Sequence, residues 1–274
     1  GNGSNELLFT TIATFVSEGR QVIFPSPTFP LYDKLVTICG GTPREVMLDP
    51  ASGVLPVNEM IAIAARSSEP PLFIVCSPNN PTGGVLRPGD LDRLLATGGM
   101  VVLDRAYGEF SSAPPPSLHE RLVTLSTLSK AWGLAGFRIG WLMSTEEICR
   151  EIRKVKLPYG LNIFSEQAAL AMLERRELME RNVEAIIKER ERMRYALEEM
   201  EGVETFPGEA NFIAFRVARG ARVVFESLLA RGILVRDVSP YPAMNNALRV
   251  SVGTSEENDR FLEALQGILS GGEQ

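Results

Sequence analysis

Over the first 130 residues, short apolar runs alternate with amphipathic stretches, and turn residues separate the two. Gln21–Phe24, Arg44–Leu48, Leu72–Cys76, Gly99–Asp104 and Leu122–Leu125 read as strands. Leu72–Cys76 and Met100–Leu103 have no polar alternation, which suits strands buried on both faces of a parallel sheet. Helical spacing precedes and separates them, at Leu7–Val16, Val57–Arg66 and Pro88–Ala96. Repeated strand–helix alternation predicts an α/β fold with a mostly parallel central sheet and helices on both faces. The texture changes near Phe164. Glu166–Met200 reads as one long charged helix ending near Gly202, followed by strands at Phe212–Arg216 and Arg249–Val252 and helices at Val223–Arg231 and Glu256–Leu269. The expected organisation is a large α/β domain over 1–163, then a connecting helix and a smaller α+β domain over 164–274.

Composition narrows the function. A chain of 274 residues, 45% hydrophobic and 23% charged, has the profile of an ordinary globular protein with a full core. A net charge of −6 argues against a nucleic-acid partner. The apolar runs are too short to cross a bilayer, so no membrane partner is expected. Cys39, Cys76 and Cys149 are widely spaced, which excludes a disulfide scaffold or zinc knuckle, fits a reducing cytoplasm and suggests buried inert thiols. His119 is the only histidine, so histidine triads and histidine-rich metal sites are ruled out as the chemistry, and no metal is expected. The first residues, Gly1-Asn-Gly-Ser-Asn-Glu6, include no initiating Met and no signal peptide, and an upstream segment is expected.

Candidate chemistry centres on Thr124–Trp141, where Thr127 and Ser129 precede Lys130 and Arg138 follows a glycine-punctuated turn. An ammonium in apolar company costs several kcal/mol, about 2–7 for a polar group left unpaired. Such a lysine is either an amine nucleophile that forms a Schiff base with an aldehyde cofactor or an ordinary loop lysine. Hydroxyls and an arginine around it suit a phosphate. Ser4 or Asn5 at the first helix start is either a plain N-cap or part of a phosphate site. Phe29, held between prolines in Pro25–Tyr32, is a stacking ring or a core aromatic. Ser77-Pro-Asn-Asn-Pro-Thr-Gly-Gly84 is a rigid turn at the carboxyl end of a strand, where open α/β sheets bind ligands. Asp104 ends an apolar strand and needs a partner, either a protonated pyridine nitrogen or a structural arginine.

In order, Gly-Asn-Gly-Ser-Asn-Glu, Pro-Thr-Phe, Ser-Pro-Asn-Asn-Pro-Thr-Gly, Val-Leu-Asp-Arg-Ala-Tyr, Thr-Leu-Ser-Lys…Gly-Phe-Arg and Leu-Arg-Val-Ser-Val-Gly-Thr resemble the class I/II aminotransferases, fold type I pyridoxal 5'-phosphate enzymes. Within them the likeness is greatest to the histidinol-phosphate aminotransferases, and it covers nearly the whole chain. The resemblance implies catalytic roles for Lys130 as Schiff-base lysine and proton shuttle, Asp104 at the pyridine nitrogen and Tyr107, with Asn80, at the phenolic oxygen. It implies Phe29 on the ring face, where many relatives carry tyrosine, and a phosphate cup of Ser4, Asn5, Thr127, Ser129 and Arg138. Arg249 is implied as the substrate-carboxylate arginine and Arg236 as a second arginine for a substrate phosphate, with a surface ion pair to Asp237 or a nearby acid as the alternative for Arg236. Asn211 matches a family motif and reads as structural.

The implied activity is transamination between L-histidinol phosphate and 2-oxoglutarate by a homodimer. Alternatives are an aromatic aminotransferase, a threonine-phosphate decarboxylase, or a cofactor-binding chain without turnover. Arg105 departs from the family, which usually has Glu there, and is expected to face away from the ring. The family's N-terminal segment, expected upstream of Gly1, is a second point of departure.

Overall fold

The computed structural model describes residues 1–271. Its first half holds β1 (Gln21–Ser26), β2 (Thr42–Met47), β3 (Leu72–Cys76), β4 (Met100–Asp104), β5 (Leu122–Thr127) and β6 (Gly140–Met143). They form one sheet in the order β2-β1-β3-β4-β5-β6. All neighbours are parallel except β6, which runs antiparallel along β5. The associated helices are α1 (Gly3–Phe15), α2 (Leu31–Ile38), α3 (Val57–Ala64), α4 (Asp90–Leu95) and α5 (Glu146–Val155).

Successive strand side chains point to opposite faces, and both faces here are covered. Val22, Phe24, Leu72, Ile74, Cys76 and Val102 point one way and pack beneath α1, α2 and α5. Ile23, Phe73, Val75, Val101 and Leu103 point the other way, beneath α3 and α4. This two-sided burial explains the uninterrupted apolar runs. Each fully buried Leu, Ile, Val or Phe contributes about 1.5–3 kcal/mol.

The second half holds α6 (Ile163–Leu173), α7 (Arg176–Glu198), β7 (Val203–Thr205), β8 (Phe212–Val217), α8 (Ala221–Ala230), β9 (Arg236–Asp237), β10 (Ala247–Ser251) and α9 (Ser255–Ser270). Its strands form an antiparallel sheet in the order β7-β8-β10-β9. The apolar faces of α7, α8 and α9 close over it. Thr254 and Glu257 start α9 with a reciprocal capping box. The stripe on α7 serves both halves: Met179 and Val183 pack with Tyr107 and Trp132, while Met193 and Leu197 join the small-sheet core. Among the described residues no helix is long and apolar enough to cross a membrane.

The expected single helix over Glu166–Met200 is two. Arg175, at φ −118° and ψ 43°, leaves the helical region and breaks the run, although no proline or glycine marks the spot. Periodicity assigns no element to 140–155, where β6 and α5 lie. β6 is four residues long, too short for its Trp-Leu-Met to read as a strand by alternation, and α5 is mostly charged and buries only Ile148 and Ile152. The N-cap of α1 is Asn2 rather than Ser4 or Asn5. Of the three thiols only Cys76 is buried, while Cys39 and Cys149 are partly exposed.

Candidate active site

The carboxyl ends of β3, β4 and β5 converge with the first turn of α1 around a cavity of about 210 Å³. Asp104 closes its floor. It ends β4 in register with Cys76 of β3, and its side chain points to the face that α2 covers. Its carboxylate accepts from the Ala106 amide at 3.0 Å and from the Tyr32 hydroxyl at 2.9 Å. Asp104 forms no ion pair with an arginine among the described residues, so the structural-arginine alternative is not realised. Burial pushes its pKa up, opposed by the Tyr32 hydrogen bond, the Ala106 amide and the charge of Lys130. A buried carboxylate at the edge of a cavity, held by two donors, is suited to a cationic partner inside that cavity.

Opposite it is an anion cup. Ser4 and Asn5 sit in the first turn of α1, where no i−4 carbonyl reaches their amides. Thr127 Oγ1 accepts from the Ser129 amide at 3.1 Å and lies 3.0 Å from both the Ile139 carbonyl and Ser129 Oγ. Arg138 donates to Ser129 Oγ at 3.3 Å and to the Ala135 carbonyl at 3.1 Å. Its φ of 54° is a strained value for a side-chain-bearing residue, of the kind found at ligand sites. Gly3, at φ 78°, lets Arg138 approach: a Cβ there would stand 2.5 Å from a terminal guanidinium nitrogen.

Lys130 stands between cup and floor, with Nζ 5.3 Å from the Tyr107 ring centroid. It opens to solvent at the mouth of the cavity, yet partial burial lowers its pKa, reinforced by the charges of Arg249 and Arg138. Tyr107 is buried against Phe212, ring centroids 5.2 Å apart, and burial raises its pKa. Phe29 also lines the cavity and meets Tyr32 edge-on at 5.7 Å.

The two asparagines of the rigid turn divide the work. Asn79 ties the two turns together, donating to the Pro27 carbonyl and Thr82 and accepting from Thr28 at 2.6 Å. Asn80 faces the cavity and accepts from Arg249 at 2.5 Å. Arg249, on β10, lies over the Phe212 ring at 4.7 Å and leaves its Nε buried without a partner. Its cross-strand neighbour on β9 is Arg236, and both line a second groove. The Asp237 carboxylate accepts instead from the amide and hydroxyl of Ser239, so the expected alternative pair with Arg236 is not formed.

Arg105 points away, donating to the carbonyls of Pro114 and Ala113. The Asn211 carbonyl accepts from Val252. His119 accepts from the Arg121 amide in a turn remote from the cavity. Four lining or supporting residues escaped the sequence reading: Cys76 and Ala106 line the cavity, and Tyr32 and Phe212 support it. Tyr32 looks like one more apolar position of a short helix, and Phe212 like an ordinary strand aromatic. For Tyr32 a signal was available, because strand parity puts Asp104 on the α2 face.

The donor set fits pyridoxal phosphate. A carboxylate on the floor suits a pyridinium, an amide-lined cup with Arg138 suits a phosphate, and a lysine of lowered pKa lies between them. A family model described as aminotransferase class I and II matches residues 1–265. Histidinol-phosphate aminotransferases of Chlorobium luteolum and Chlorobaculum parvum are similar at 38% and 40% identity, over 97–98% of this chain and 75–76% of their own length. A Sinorhizobium meliloti histidinol-phosphate aminotransferase, solved in complex with pyridoxal-5'-phosphate, superposes with a TM-score of 0.85 at 27% identity, covering 98% of this chain and 76% of its own. That of Clostridium acetobutylicum, at 23% identity, shares the fold with a TM-score of 0.88. The chain therefore belongs to the class I and II aminotransferases, enzymes that depend on pyridoxal phosphate.

Proposed function

We propose that this aminotransferase moves the amino group of L-histidinol phosphate onto 2-oxoglutarate, using pyridoxal phosphate held at Lys130. The observation that carries the substrate class is Arg236 standing across from Arg249, without a carboxylate partner among the described residues and beside an open groove. Two guanidinium forks on neighbouring strands suit a dianionic phosphate. The names of the relatives above support the same reading.

Pyridoxal phosphate supplies an aldehyde carbon that takes the amine and a ring that accepts the electron pair released at Cα. The protein does the rest. The amides of Ser4 and Asn5, with Thr127, Ser129 and Arg138, would hold the phosphate, Phe29 would support the ring, and Asp104 would favour a protonated ring nitrogen. Tyr107 and Asn80 hold the phenolic oxygen. Lys130, whose lowered pKa enlarges its neutral fraction, would act as the base that takes and returns the substrate's Cα proton. Arg249 and Arg236 grip the substrate phosphate in one half-reaction, and Arg249 holds the glutamate α-carboxylate in the other.

The exposed apolar strap after α5 is read as a dimer surface. It presents Leu157 at 74% and Tyr159 at 99% exposure and runs into the first turn of α6, where Phe164 is 80% exposed; Lys156 ties it to Glu6 of α1 at 3.5 Å. Contiguous apolar area of this kind marks a partner surface, and the partner proposed is a second copy. The proposed division at 163/164 falls in the first turn of α6, just after this strap, and the free thiols suit a cytoplasmic setting.

Single-turnover spectroscopy tests the substrate. The visible band of the loaded enzyme decays on mixing with histidinol phosphate and returns on adding 2-oxoglutarate. A band that responds to an aromatic amino acid and not to histidinol phosphate contradicts the proposal. So does turnover of threonine phosphate that needs no oxo acid.

A further inference from the structure

We infer that Tyr32 is a positioning residue that sets the orientation and basicity of Asp104, and through it the grip on the cofactor's ring nitrogen; this rests on the site reading above. Tyr32 lies on α2, fully buried, with its hydroxyl 2.9 Å from Asp104 Oδ2. The other carboxylate oxygen is fixed by the Ala106 amide at 3.0 Å. With one donor on each oxygen, the carboxylate plane is defined and its remaining lone pairs are left for a donor in the cavity. The ring of Tyr32 is itself held edge-on between Phe24 at 6.2 Å and Phe29 at 5.7 Å, so the hydroxyl cannot swing away without disturbing two aromatic contacts. Phe29 also lines the cavity. Tyr32 therefore braces two of the groups proposed to contact the ring, one by hydrogen bond and one by packing.

The remaining ionisable groups facing Asp104 are Cys76 on β3, Tyr107 after β4 and Lys130 after β5. Cys76 is spoken for, since its thiol donates to the Pro78 carbonyl at 3.2 Å, and Lys130 acts on Asp104 through charge alone. Tyr32 is the only one of these side chains that donates a hydrogen bond to the carboxylate. A donor to a buried carboxylate favours its charged form, so its loss raises the pH at which Asp104 takes a proton. Hydrogen bonds to charged groups imply a rise of about one pH unit or more.

The test is Tyr32→Phe, which keeps the ring and removes only the hydroxyl, set beside Phe24→Leu, which perturbs the same packing and leaves the hydrogen bond. In the cofactor-free chain, 13C NMR of labelled aspartate reads the Asp104 titration. The expected result is an upward move of the midpoint by about one pH unit in Tyr32→Phe and none in Phe24→Leu. With cofactor, the dissociation constant of pyridoxal phosphate weakens about tenfold in Tyr32→Phe, and the pH profile of kcat moves in the same direction as the midpoint. A midpoint unchanged in Tyr32→Phe, or moved as far by Phe24→Leu, overturns the positioning role. Asp104→Asn separates the two layers: if it leaves the cofactor's dissociation constant unchanged, the placing of Asp104 at the ring nitrogen falls, and this role with it.

Discussion

Replacing Gly3 by alanine tests the phosphate cup with one methyl group. Gly3 has φ 78°, and the new Cβ would stand 2.5 Å from the nearer terminal nitrogen of Arg138 and 3.2 Å from its central carbon. The left-handed backbone alone costs an L-residue about 1–2 kcal/mol, enough to lower Tm by a few degrees. The contact adds a second effect, because the guanidinium must move away from Ser129 and the helix start. Losing one charge-assisted donor to a phosphate costs about 2 kcal/mol, which is about thirtyfold in affinity. Titration with pyridoxal phosphate and, in parallel, with pyridoxal isolates that part. Gly3→Ala is expected to weaken pyridoxal phosphate about thirtyfold and leave pyridoxal nearly unchanged. Equal weakening of both ligands would mean a general distortion of the pocket. Unchanged affinity for both would mean the phosphate does not sit against Arg138. Either result refutes the cup.

Three further outcomes follow from the same geometry. Arg236→Gln should lower kcat/KM for histidinol phosphate at least tenfold while sparing histidinol without its phosphate, as measured by steady-state kinetics on both amines. Phe164→Asp should shift the proposed dimer to monomer in sedimentation equilibrium, because a carboxylate in the exposed apolar first turn of α6 cannot be buried unpaired. Glu189 joins α7 to α9, accepting from Arg192 and from Asn258 at 2.8 Å, and its pKa is lowered from 4.5 to about 2, mainly by Arg192. A depressed carboxylate contributes stability above its unfolded pKa and loses it as pH falls. Chemical denaturation from pH 5 down to about 2 should therefore show a smaller loss in Glu189→Gln than in the parent.

Much of the large sheet was legible because two-sided burial writes continuous apolar runs, as at Leu72–Cys76, whose bounds match β3. Elements buried on one side only were harder. β6 is only four residues long and α5 is mostly charged, and the break at Arg175 falls where no proline or glycine marks it. In the site, Lys130, Asp104 and the Ser77–Gly84 turn stood out by chemistry that their neighbours could not explain. The division between Asn79, which ties the turns, and Asn80, which faces the cavity, is tertiary and invisible to spacing. Arg236 was ambiguous because an acid follows it in sequence. In the fold Asp237 turns toward Ser239. Tyr32 hid behind its helix, whose apolar spacing accounts for a buried aromatic without any hydroxyl.

The central claim is that Lys130 is the amine that carries the cofactor. Adding pyridoxal phosphate, reducing with borohydride and mapping the product by peptide mass spectrometry tests it directly. The account predicts one phosphopyridoxyl group on the peptide containing Lys130, and no visible band in Lys130→Ala mixed with the same cofactor. A label on another lysine, or a band that survives the substitution, would contradict it.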